Sequence, residues 1–183
     1  MDAYPYLKFL HVVFASLWLG GGIAMIVLGL AAMRARDDQR LVQVVLQVVW
    51  LADRLFVPAS LLTLVFGVAM AWMAWSFLDL WIVLGLAGFL ATFVTGVFVI
   101  KPMTERVAAI VAAEGATAPA VALGRRILRT AVFDYTAIVL VVAVMVLKPA
   151  AGDVLLLGIM AATLLVAATV CLVPPRGAAA SAG

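Results

Sequence analysis

Apolar residues run in long unbroken stretches along this chain, and polar residues are confined to the breaks between them. A helix needs roughly 20 mostly apolar residues to cross a hydrocarbon layer of about 30 Å. Residues 6–33, 55–75, 80–100 and 153–173 reach that length, and 131–147 does so by borrowing Ile127 and Leu128. The pattern predicts five membrane-spanning helices.

Two polar-rich stretches need separate treatment. Gln43 and Gln47 lie four apart within 38–54, so they share a helical face, and Arg36, Arg40 and Arg54 fall near that stripe. This predicts an amphipathic lead-in helix at the membrane surface. Joined to span two it would make about 35 residues, or about 52 Å of helix, too long for one crossing. Pro58 removes the bond to the Arg54 carbonyl and is expected to bend the chain into the span. In the alternative, span two begins near Leu41 and places Asp53 and Arg54 mid-membrane. In the connection 102–130, residues 104–114 look helical, Gly115 breaks them, and Pro119 suits the first turn of a second helix. The expected fold is an all-α membrane protein. It is a bundle of about five transmembrane helices, with the lead-in helix before span two and a cytoplasmic helical connection between spans three and four. One transmembrane domain covers 1–173, and 174–183 form a flexible cytoplasmic tail.

Composition agrees: 68% of residues are hydrophobic and only 11% are charged, against about 25% charged in soluble domains. The net charge of +3 does not point to nucleic acid, because the basic residues sit in turns between spans. Arg34, Arg36, Arg40, Arg54, Lys101, Arg106, Arg125, Arg126, Arg129 and Arg176 fall on one side, and Lys8 and Lys148 on the other. The positive-inside rule then predicts an outside N-terminus and a cytoplasmic C-terminus in a bacterial cytoplasmic (inner) membrane. Tyr4, Tyr6, Trp72, Trp75 and Trp81 map to the outer interface, where amphipathic rings are favoured. Cys171 is the lone cysteine, which excludes an internal disulfide and a Cys-rich metal site. No cleavable signal pattern is present, so span one is expected to be retained.

Chemistry has few places to sit. On span one, Lys8, His11, Ala15, Trp18, Gly22, Met25 and Gly29 step by three and four along one seam. That seam should face the bundle, because Lys and His in lipid are costly. His11 is a candidate haem or metal ligand or proton-relay group, with Lys8 beside it. The bland alternative is a hydrogen-bonded histidine with Lys8 snorkelling outward. At the inner end, Asp53, Arg54, Lys101, Arg129 and Asp134 form a group of ion-pair candidates. Asp134 lies one turn inside span four and is expected to pair with Arg54. This group is either a structural ion-pair set or an inner-leaflet gate. Gly88, Thr92 and Gly96, like Gly20 and Ala24, are small residues four apart that permit close helix packing. The methionines, among them Met25, Met70, Met73 and Met145, are spread over different spans, as core fillers would be. No phosphate loop, HExxH, GxSxG or paired-carboxylate pattern occurs.

Leu7-Lys8-Phe9-Leu10-His11-Val12 followed by Leu17-Trp18-Leu19-Gly20-Gly21, with Trp50-Leu51-Ala52-Asp53-Arg54, Pro58-Ala59 and Ile100-Lys101-Pro102, resembles a bacterial family of predicted integral membrane proteins, the domain of unknown function numbered 2269. The opening is shared more loosely with the copper-resistance protein D membrane domain and the haem-binding bacterial protoporphyrinogen oxidase. The first of these resemblances implies a membrane topology and little more, because no activity is established for that family. The oxidase resemblance implies that His11 would be the haem ligand. A lysine in a later span also matters there, and here the third span holds only Lys101 at its cytoplasmic end.

The reading preferred from sequence is a non-enzymatic accessory or assembly protein, with the lipid bilayer and either a second copy or another membrane protein as partners. The alternatives are a redox protein using haem b or copper at His11, and a small transporter or channel.

Overall fold

The computed structural model describes residues 3–173; the tail expected over 174–183 lies outside them. The described residues form helices joined by short turns and loops, with no strand among them. Helix α1 (Tyr4–Arg34) starts with Pro5 in its first turn and carries Arg34 in its last, the positions where a missing N–H and a positive charge are best tolerated. Its turn into α2 (Asp38–Leu51) is closed by the Asp37 side chain, which accepts the Arg40 N–H at 2.9 Å. After α3 (Val57–Ala74) come α4 (Leu80–Thr95), α5 (Lys101–Glu114), α6 (Ala118–Leu147) and α7 (Val154–Leu172). Gly115 ends α5 at φ 79°, a left-handed conformation that costs glycine little.

Two joints carry the chain from one helix into the next without a break. The segment Ala52–Phe56 links α2 to α3 and Gly96–Ile100 links α4 to α5, both as single π-helical turns. A proline follows each, Pro58 and Pro102. Neither can give an N–H to the carbonyl four residues back, and each ring would crowd that oxygen. The helix widens just ahead of them. Val57 N–H reaches back to the Ala52 carbonyl, and Lys101 N–H to that of Gly96. Both widenings absorb a proline without breaking the rod, and such single π turns recur at functional sites.

The consequence for the architecture is that α2 and α3 form one 37-residue rod and α4 and α5 one of 35 residues, about 55 and 52 Å long. The expected lead-in helix therefore does not lie flat at a surface. Its apolar stripe, Leu41, Val42, Val44 and Val45, is buried against protein. Leu41, Val42, Val45, Val107, Ala120, Val121, Ile127, Leu128 and Ala32 form one buried hydrophobic cluster at the arginine-rich end. A single rod of this length is accommodated because not all of it sits in lipid: its first turns are wrapped by α5, the start of α6 and the end of α1.

Among the described residues, five continuous helical rods are long and apolar enough to cross a membrane. Their outward faces carry large apolar side chains, with Trp72 79%, Leu155 79% and Val170 72% exposed. Water would drive such a surface to aggregate, whereas hydrocarbon is its natural solvent and leaves helical backbone fully bonded. The outermost helix, α7, packs against α6 and has no buried residue.

Candidate functional site

At the level of the two π turns, the four central rods enclose a partly open cavity of about 120 Å³. Helix α1 lines it with Trp18, Gly22, Met25 and Gly29, which is the inner stretch of the seam read from sequence. Ser60 faces it from α3, Thr92 and Phe93 from α4, and Asp134 and Tyr135 from α6. Most of the wall is hydrocarbon.

The serine and threonine hydroxyls of the wall are occupied locally. Ser60 donates to the Val57 carbonyl at 2.9 Å, Thr92 to that of Phe89 at 2.9 Å, and Thr104 to that of Lys101 at 2.7 Å. Such bonds to the preceding turn are the usual resort of hydroxyls in apolar helices. Lys101, also on the wall, bonds to Asp53 at 2.6 Å and lies 3.8 Å from Glu105. The Lys101–Asp53 pair ties one π joint to the other.

Asp134 differs from all of these. It is 4% exposed, and among the described residues it has no ion pair and no side-chain hydrogen bond. The expected bond to Arg54 does not form. Arg54 sits in the π turn, points outward and stacks over the Trp50 ring at 4.8 Å. Arg129 is exposed and makes no ion pair among the described residues. The inner group therefore separates into an exposed pair, Asp53–Lys101, and a solitary carboxyl facing the cavity. A second exposed pair, Arg125–Asp38 at 2.8 Å, joins α6 to α2. A buried carboxyl without a partner loses its hydration and recovers nothing from protein, so its place on a cavity wall is the strongest chemical signal in the molecule.

His11 lies elsewhere and does not line the cavity. One ring nitrogen, Nδ1, is 2.7 Å from the Thr63 carbonyl. A carbonyl only accepts, so Nδ1 is the donor. Gly67 makes room for the ring, since a Cβ there would stand 2.9 Å from His11 Cε1. Lys8 is exposed. The lysine that a haem resemblance would look to, Lys101, is held by Asp53, ten residues from Thr63 along the same rod, a separation of about 15 Å. His11 and Lys101 thus do not face one site, and a His–Lys haem pocket does not fit these residues. Among the described residues no group of three or more His, Cys, Asp or Glu could hold a metal ion.

Small residues act here as spacers. A Cβ on Gly22 would overlap the Tyr135 ring and hydroxyl, and that hydroxyl donates to the Trp18 carbonyl at 3.4 Å. A Cβ on Gly85 would overlap only the terminal methyl of Met145. Gly22→Ala is therefore expected to destabilise by on the order of 1 kcal/mol, because a rigid ring must leave its place. Gly85→Ala should cost markedly less, since a thioether chain re-rotamers easily. Thermal unfolding in detergent checks the order, and equal losses would contradict it.

Sequence reasoning missed Ser60, Phe93 and Tyr135 as wall residues. A usable signal was present in the two prolines, each set inside an apolar or amphipathic helical pattern near a charged residue of opposite sign, Asp53 and Lys101.

No curated protein and no solved structure matches the chain significantly. The family model for predicted integral membrane protein DUF2269 matches residues 5–149, a region that includes the seam on α1, both proline-bounded π joints, Asp134 and Tyr135. The chain belongs to that family of integral membrane proteins of unknown function.

Proposed function

We propose that this protein binds a small solute inside its helical bundle in a bacterial cytoplasmic membrane, with its N-terminus outside and its arginine-rich end in the cytoplasm. The observation that carries the reading is Asp134, buried, unpaired among the described residues and facing the cavity. Intramembrane ionisable groups of this kind mark solute or proton pathways. A small carrier needs such a site, whereas an accessory protein working through its surface does not. The paired π joints suit it too, because irregular helix inside a membrane is tolerated where it lines a cavity. The orientation rests on the arginines.

Cysteine chemistry tests both parts in a Cys171→Ala background. Ser60, 3% exposed, becomes the reporter as Ser60→Cys, with Ala116→Cys, in the α5–α6 turn, as the accessible control. In membranes, methyl methanethiosulfonate should modify both. In intact cells, a membrane-impermeant maleimide should spare Ala116→Cys until the membrane is permeabilised. An inert Ser60→Cys beside a reactive control would mean a closed interior and favour an accessory protein working through its surface alone. Labelling of Ala116→Cys in intact cells would reverse the orientation.

A further inference from the structure

The chemistry of the wall narrows the solute, given the solute-binding reading above. We infer that the cavity takes a small organic cation, a protonated amine carried on an apolar body about the size of one ring.

Charge decides first. Asp134 and Lys101 are the acidic and basic side chains on the wall, and the Lys101 ammonium already bonds to Asp53 at 2.6 Å. An anion would meet the Asp134 carboxyl with no free cation to offset it. A cation would supply the partner that the protein withholds, and breaking or omitting one half of a buried pair is the expensive arrangement. The rest of the wall suits an organic rather than an inorganic ion. Trp18, Phe56, Phe93 and Tyr135 contribute four aromatic rings and Met25 a thioether, and aromatic faces attract ammonium groups. A bare metal ion asks for six or more oxygen ligands if it is hard. One carboxyl among hydrocarbon, with the Ser60, Thr92 and Thr104 protons turned back to carbonyls, falls well short of that.

Size decides next. An apolar cavity of about 150 Å³ holds a benzene molecule, so about 120 Å³ admits a group close to that size.

Three probes of nearly equal shape separate the possibilities: benzylammonium, benzyl alcohol and benzoate, each titrated calorimetrically into the full chain in detergent at neutral pH. Benzylammonium should bind at least about tenfold more tightly than benzyl alcohol, and benzoate should not bind. Asp134→Asn should abolish the preference, bringing benzylammonium down to the level of the alcohol. Equal affinity of the wild type for benzylammonium and benzyl alcohol would overturn the cationic class while leaving a solute site in place, and that comparison needs no variant. Cation preference that survives Asp134→Asn would place the attraction elsewhere and also overturn it. Failure of all three probes to bind, with Ser60→Cys inert as well, would instead remove the solute-binding reading on which this inference rests.

Discussion

Leu41→Ala is expected to lower stability by about 2–5 kcal/mol, the usual cost of emptying a well-packed leucine site. Leu41 is 1% exposed and sits in the cluster where α2, α5, α6 and the end of α1 meet. Its neighbours belong to four helices that are each anchored further along their length, so the hole cannot collapse freely. Leu165→Ala on α7 makes the informative contrast. Leu165 is 67% exposed, its surroundings are lipid, and the same truncation there should change stability by no more than about 0.5 kcal/mol. Thermal or denaturant unfolding of both variants in one detergent measures the difference. Comparable losses would mean that the bundle is held together mainly by its lipid-facing helices and not by the arginine-rich end.

Asp134→Leu is expected to do the opposite. Exchanging an unpaired buried carboxyl for a hydrocarbon side chain removes a desolvation cost without breaking any bond seen among the described residues. Stability should rise by about 1–3 kcal/mol. Binding of benzylammonium should be lost in the same variant. A group that weakens the fold yet is placed where a solute could meet it is the pattern of a site that trades stability for function. A melting temperature that falls would show that Asp134 makes a structural contact in the membrane, and the solitary-carboxyl argument would then fail.

Between these two positions lies the connection from fold to site. The long rods exist because Pro58 and Pro102 are absorbed by π turns rather than by kinks. The turns fall at one level, where Asp53 and Lys101 can meet. There Gly96 leaves open space beside its rod, while the places beside Gly22 and Gly29 are taken by Tyr135 and Leu128. The cavity thus lies beside widened backbone, and Asp134 is the unpaired carboxyl on its wall.

Read alone, the chain determined its solvent, its helical class and its five spans, because apolar run length against bilayer thickness is a local property that needs no partner. It also determined the inward seam Trp18, Gly22, Met25 and Gly29, since a helical repeat sorts residues by face before any neighbour is known. Asp134 stood out for the same local reason, as an acid inside an apolar run. What it would face was not local. Its expected partner Arg54 is eighty residues away in sequence, and whether the two meet depends on how a π turn rotates one rod against another. Gly22 against Tyr135 and His11 against Thr63 are likewise contacts between distant segments. Only the packing of the rods decided those, because side-chain pairing across a bundle follows from helix rotation and depth, which no single helix carries in its own periodicity.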